Sequence, residues 1–164
     1  MSRLFAFARD QRGAAATEMA LIIPLLLVLM FVGFEAGHFF YTEQKVIKAV
    51  REGARFAGRQ PFASFPCDGS ANATTVSNIQ QVTRTGTLSG SVPRVRNMAL
   101  TDVVVTYRCD SSWENQGIFK GTSGGAPIVL VEASAKYDSL FEQLGLIDSS
   151  YNVRASAEAV VSGI

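Results

Sequence analysis

RGAAATEMALIIPLLLVLMFVGFEAGHFFYTEQKVIKAVREGARFAG, residues 12–58, decides how this chain is organised. Its centre, MALIIPLLLVLMFVGF at residues 19–34, carries no charge. These sixteen residues rise about 24 Å as a helix, short of a hydrocarbon core of roughly 30 Å. A membrane span therefore borrows from residues 14–17 upstream and 36–41 downstream, with Glu18 and Glu35 near its ends. The alternative is a buried core helix of a soluble protein. The leucine-rich run argues against it, because it has no polar face.

The helical pattern continues past the apolar run. Phe39, Val46, Val50 and Ala57 recur at helical spacing, as do Phe40, Ile47 and Ala54. Lys48, Arg51, Glu52, Arg55 and Arg59 fall mainly between them. Gly58 and then Pro61 end the pattern. A continuous helix over residues 14–59 is about 69 Å long. Pro24 removes one backbone donor and predicts a kink near residues 21–25. The outer half then has an apolar stripe to bury on whatever follows.

Working outward, Arg3, Arg9 and Arg12 precede the run, and Lys45, Lys48, Arg51, Arg55 and Arg59 follow it. The formal net charge is only +1, so no charge excess points to nucleic acid, and no nucleic-acid partner is expected. The basic start has two readings. One is a conventional secretory signal, cut at small residues beyond the apolar stretch. The other is cleavage ahead of it. No clean small-x-small site follows the run, whereas Arg12-Gly13 precedes it and Ala14-Ala15-Ala16-Thr17-Glu18 begins it.

Gly13, four residues, then Glu18 ahead of an apolar helix resembles the class III signal of type IV prepilins. The resemblance implies cleavage after Gly13 by a prepilin peptidase on the cytoplasmic face. Ala14 becomes the new N-terminus and Glu18 the fifth residue of the mature chain. The longer stretch, residues 12–58, resembles the TadE-like family of the tight-adherence pilus system. That family's pattern has the same start, a Leu-rich span containing Pro, a Glu-x-Gly pair, and an Ala-rich helix ending near A-R-E-A-A-R-x-A. Here Glu35-Ala36-Gly37 and Ala49-Val50-Arg51-Glu52-Gly53-Ala54-Arg55-Phe56-Ala57 supply it. Gly53 departs from the frequent Ala, at roughly 0.5–1 kcal/mol of helix propensity.

The resemblance implies a minor pilin or pseudopilin that helps pilus initiation, assembly or tip formation. It sits in the bacterial inner membrane as a single-pass protein with a periplasmic C-terminal head. Its implied partners are the membrane, prepilin peptidase, other pilins and minor pilins, and the inner-membrane assembly platform. Major subunits of that system resemble little more than a bare helix, so a head of about 100 residues points away from that role. The resemblance also implies that Glu18 pairs with the Ala14 amine of a neighbouring subunit and sets register. Physics alone offers a plainer use: a carboxylate near a helix N-terminus is favoured by the macrodipole and tolerated at headgroup depth.

The expected organisation is a basic leader over 1–13, a transmembrane and stalk helix over 14–59, and a periplasmic α+β head over 60–164. Positive-inside counting opposes it, since five basic residues follow the span and three precede it. Glu35 and His38 share a face with Thr42, either as a pair at the outer headgroup boundary or as a proton relay. Residues 45–59 present a basic face, either solvated, phospholipid-facing or docking partner helices.

In the head, residues 60–75 read as a connector rich in Pro, Gly, Ser and Asn. A short helix is expected over 75–85, and a turn with a short strand over 88–96. Clear alternation at Val103–Tyr107, at Val129, Val131, Ala133 and Ala135, and at Val153, Ala155, Ala157 and Ala159 predicts three strands with one buried face. Residues 121–127 suit a loose hairpin, and 139–146 a short helix or turn. The fold class expected is α+β, a lollipop-like plan in which a long transmembrane and stalk helix packs on a small antiparallel sheet. Cys67 and Cys109 either close a disulfide loop of about 43 residues, which stabilises by about 3.5–4 kcal/mol in the chain-entropy model, or remain two unrelated thiols.

Enzyme signatures are missing. His38 is the sole histidine and belongs to the membrane segment, so no Ser-His-Asp set forms in the head. Gly121-Thr122-Ser123-Gly124-Gly125 lacks the ending of a phosphate loop and reads as a turn. Asn72-Ala73-Thr74 matches a glycosylation sequon, of little weight in a bacterial chain. No catalytic, cofactor-binding or metal residues are assigned, and neither a cofactor nor a small-molecule substrate is expected. The competing reading is an uncleaved, membrane-tethered periplasmic binding module.

Overall fold

The computed structural model describes residues 12–142 and 151–163. The expected leader residues 1–11, with Arg3 and Arg9, lie outside the described residues, as do residues 143–146 of the turn expected over 139–146. Two compact units divide the chain between His38 and Phe39, within its longest helix.

That helix, α1, is Arg12–Gly58 and contains Pro24. Its helical assignment is unbroken through Pro24. In the first unit, every side chain described over residues 15–34 is exposed except the half-buried Phe31. In the second unit α1 has a sharply defined inner stripe. Val46, Ala49, Val50, Ala54 and Ala57 are all buried, at spacings of three and four that keep them on one face.

The stripe packs on a three-stranded antiparallel sheet, β1 (Val103–Asp110), β2 (Ala126–Lys136) and β3 (Asn152–Val160), ordered β1-β2-β3. Val131 is paired with Val105 on one side and Ala157 on the other. Period-two alternation puts Val129, Val131, Ala133 and Ala135 inside, and these join Val46, Val50, Ala54 and Ala57 in one apolar core. The class is α+β, a long N-terminal helix packed on a small antiparallel sheet.

The second helix, α2 (Ala73–Thr85), starts two residues before the expected position because Asn72 caps it. The Asn72 side chain accepts from Thr74 N at 2.9 Å and Thr75 N at 3.1 Å, satisfying two of the donors a helix start leaves free. The sequon asparagine is thus a structural N-cap. Gly86, at φ 85°, ends the helix in the left-handed conformation.

The strand expected within residues 88–96 does not form; turns and bends replace it. Pro93 lacks a ladder donor, and the segment bonds to α2 instead. Arg94 N donates to Arg84 O at 2.8 Å, and Arg84 Nε donates to Met98 O at 2.9 Å. Val95 and Met98 are buried there while Val92 is exposed, so no period-two face exists.

Gly53 explains its own departure from alanine. A Cβ at that position would overlap Thr83 Oγ1 and lie 3.2 Å from Thr83 Cβ and 3.4 Å from Val131 Cγ1. Thr83 is fully buried and its hydroxyl donates to Ile79 O at 2.7 Å, so it has little freedom to yield. Glycine lets α1 and α2 approach closely.

Two staples complete the head. Cys67 and Cys109 form a disulfide with Cα atoms 5.8 Å apart and a sequence separation of 42. The Tyr107 hydroxyl, two residues away on β1, lies 2.8 Å from Pro66 O and 2.7 Å from Gly69 O. At the far end of α1, Ser162 N and Oγ both donate to Gly58 O, at 2.8 and 2.7 Å. The tail after β3 thereby satisfies a terminal helix carbonyl.

Candidate functional site: the N-terminal segment of α1

Gly13 lies one residue into α1, exposed, with nothing within 4 Å of where a Cβ would be. Ala14 is helical in its backbone. Glu18 is exposed, four residues further along the helix.

Beyond Glu18 the helix is apolar on every side. Leu21 is 80% exposed, and Ile22, Ile23, Leu25, Leu26, Leu27 and Val28 are exposed around the full circumference. Among the described residues this is the one helix long and apolar enough to cross a membrane. An apolar surface without a polar face asks for lipid or apolar protein around it. Glu35 is the exception: it is the single buried residue described between Gly13 and His38. Neither Glu35 nor His38 is without a partner.

The outer half of α1 presents a different surface. Lys48, Arg51 and Arg55, with Arg59 just past the helix end, are exposed at spacings of three and four and form one basic face. None of the four has an ion-pair partner among the described residues. Glu52, beside them, is taken by Arg94. Lys45 sits 4.5 Å over the Tyr41 ring.

The head offers structural rather than reactive groups. Cys67 and Cys109 are consumed in their bond. Gly124 and Gly125 have φ values of 82° and 87°; a Cβ on Gly125 would strike Asp110 O, so this glycine-rich loop is a tight turn. Asp110 caps the turn after β1, accepting from Ser112 Oγ at 2.6 Å and Ser112 N at 3.0 Å. The Ser112 hydroxyl, then its amide, then the charge of Arg108 hold the Asp110 carboxyl below its ordinary value. Among the described residues, no three His, Cys, Asp or Glu side chains gather as metal ligands do.

Gly13, Ala14 and Glu18 thus fall together on one helix start, while the two cysteines lie in the other unit. Sequence reasoning missed the burial of Glu35, which its charge disguised. The role of Gly53 was signalled only as a departure from alanine.

Residues 13–55 match the TadE-like protein family, the tight-adherence pilus family to which the sequence pattern pointed. No curated protein and no solved structure matches the chain. The match begins at Gly13, takes in both halves of α1 and includes none of the sheet.

Proposed function

We propose, from the TadE-like segment at residues 13–55, that this chain is a minor pilin or pseudopilin of a tight-adherence type IV pilus system. It is held in the inner membrane by α1, cut between Gly13 and Ala14 by prepilin peptidase, and helps initiate, assemble or tip the pilus. The observation that carries this reading is a family match opening on Gly13, on a helix whose apolar surface is bare beyond Glu18.

The chemistry follows from the cut. Hydrolysis after Gly13 releases the basic leader and leaves an ammonium group on Ala14. A positive charge at a helix N-terminus opposes the macrodipole, and at the edge of the hydrocarbon it is costly unless paired. Asp10 leaves with the leader, and Glu18 is then the nearest carboxylate in sequence. Pairing it with the Ala14 amine of the next subunit satisfies both charges only when the helices are in register, so an electrostatic cost becomes a positioning device.

Two observations support a periplasmic head. The Cys67–Cys109 disulfide suits an oxidising compartment. The charge count that opposes this orientation weakens on inspection, because basic residues matter mainly within about 15–20 residues of the span. Within twenty residues of the 19–34 run, Arg3, Arg9 and Arg12 stand on one side and Lys45, Lys48 and Arg51 on the other. The count is level, and the leader is free to stay inside.

The head then acts through contacts rather than catalysis. Deleting the chain should abolish or reduce surface pili. Complementation with wild type should restore them, and complementation with Glu18→Ala should not. Normal piliation, with unchanged co-purification of other pilins by the Glu18→Ala chain, would sink the assembly role.

A further inference from the structure

The sheet has two edges, and they differ. On the β1 side, Gln80 Nε2 donates to Val103 O at 2.9 Å. The Cys67–Cys109 bond and the Tyr107 hydroxyl also tie the preceding connector to that strand. On the β3 side no described strand follows. Tyr137 N donates to Tyr151 O and Val161 N to Pro127 O, both at 2.9 Å. These two bonds fix the alternation of the antiparallel ladder. The odd-numbered residues from Val153 to Ala159 turn their backbone groups toward β2, and Arg154, Ser156 and Glu158 turn theirs to the open edge. Among the described residues nothing bonds to those outward groups.

The helix over this edge has apolar surface to spare. A Cβ on Gly58 would lie 3.1 Å from Val160 O and 3.4 Å from Ala159 Cβ, so that side of α1 faces β3. Ile47 precedes Gly58 by about three whole turns and Phe40 by about five, so both project to the same side. Ile47 is half-buried and Phe40 is 62% exposed. Beneath them β3 offers only Ala155, Ala157 and Ala159, each half-buried at the rim of the core. Phe40, Ile47 and Ala54 form the stripe whose periodicity asks for burial, and three strands cover only its Ala54 end. A fourth strand beside β3 would put side chains into the space that the alanines leave.

We propose that the β3 edge is a strand-addition site, which takes an extended segment of a partner subunit along β3 and against the flank of α1. Main-chain bonds to Arg154, Ser156 and Glu158 hold the segment. Its inward residues are bulky and apolar, because the alanines leave them room and Ile47 gains cover from them. Its outward residue opposite Arg154 is acidic. Arg154 is exposed with no ion-pair partner among the described residues, whereas Glu158 is already met by Arg108 at 3.2 Å. A second copy of β3 fits less well. Paired antiparallel about Ser156 it matches Arg154 with Glu158, but it brings alanine onto alanine and leaves Ile47 uncovered. The site lies wholly within the second unit and does not depend on cleavage at Gly13.

The test uses the full chain in detergent and two short fluorescein-labelled peptides that alternate valine with polar residues. One carries glutamate at an outward position and the other lysine there. The glutamate peptide should bind saturably and slow amide exchange at Arg154, Ser156 and Glu158, with no change along the outer edge of β1. Ser156→Pro removes an outward donor without touching the β2 ladder. The head should keep its thermal transition in this variant while affinity falls at least about tenfold. Arg154→Glu, at an exposed position, should reverse the preference toward the lysine peptide. If Ser156→Pro unfolds the head, that reversal decides alone, and an unchanged preference overturns the site. Binding that survives Ser156→Pro without protection on β3 overturns it too, as does no saturable binding of either peptide. Protection of these three amides that grows with protein concentration, without peptide, marks self-pairing and overturns the partner segment as occupant.

Discussion

Residues 15–34 and residues 39–58 belong to one helix, yet they treat apolar side chains in opposite ways. In the first stretch leucine, isoleucine and valine cover the whole circumference and almost none is buried. In the second, apolar side chains keep to a stripe, Val46, Ala49, Val50, Ala54 and Ala57 are buried, and charged residues occupy the remaining faces. Helical periodicity is the same in both. What differs is the environment the pattern implies: a surrounding apolar solvent for one stretch, a single packed neighbour for the other. α1 therefore joins a stretch suited to apolar surroundings and a core element of the second unit in one helix whose assignment is unbroken, Pro24 included.

The largest expected effects separate the two stretches. Val50→Asp buries an unpaired carboxylate in the head core and should cost at least about 3–5 kcal/mol, removing the cooperative thermal transition of the head. Leu26→Arg should leave that transition in place and weaken membrane insertion instead, by about 2.5–3.5 kcal/mol on the insertion scale, read as loss from the membrane fraction. If Leu26→Arg unfolded the head, the division of labour along α1 would be wrong.

Next comes the disulfide, which constrains the second unit alone. Replacing Cys67 and Cys109 with alanine should lower head stability by about 4 kcal/mol in the chain-entropy model, measured by chemical denaturation. Insertion of the first stretch should not change.

A glycine pair sharpens the contrast. Gly33→Ala meets nothing within 4 Å and should raise helicity by roughly 0.5–1 kcal/mol. Gly53→Ala gains the same propensity but overlaps Thr83, and overpacking of about 1–3 kcal/mol should prevail. The double variant Gly53→Ala/Thr83→Ala should recover most of that loss. A stabilising Gly53→Ala would contradict the close approach of α1 and α2.

The smallest effect is electrostatic. The Asp110 carboxyl titrates below its ordinary value because Ser112 hydrogen-bonds it. Its contribution to stability is therefore complete above the unfolded value near 3.9 and is lost as pH falls through the lower folded value. Asp110→Asn should flatten that acid limb slightly. An unchanged limb would remove Asp110 from the account.

Much of this was readable in the sequence, for identifiable reasons. The bare stretch of α1 and the three strands are long, regular patterns of period 3.6 or 2, and they appear where the alternation of Val129, Val131, Ala133 and Ala135 put them. The strand expected within residues 88–96 was misplaced because the bonds that hold the segment come from Arg84 and Arg94, which no alternation of apolar residues announces. Phe40 misled in the other direction, since its spacing fits the inner stripe and its side chain is exposed. Gly53 was legible as an anomaly but not as a contact, because Thr83 lies thirty residues away in sequence. At the candidate site, Gly13 and Glu18 were legible through their resemblance to a processing signal, and spacing alone said only that Glu18 stands near a helix start.

The central claim, that the helix start is a processing site, meets its most direct test in the mature N-terminus. The chain, tagged at its C-terminus, is recovered from cells with and without prepilin peptidase, and its intact mass is measured. The account predicts a chain beginning at Ala14 when the peptidase is present, and a chain that keeps Gly13 and its leader when the peptidase is absent or Gly13 is changed to a bulkier residue. A chain that retains Met1 in the presence of an active peptidase would contradict it and leave an uncleaved membrane tether.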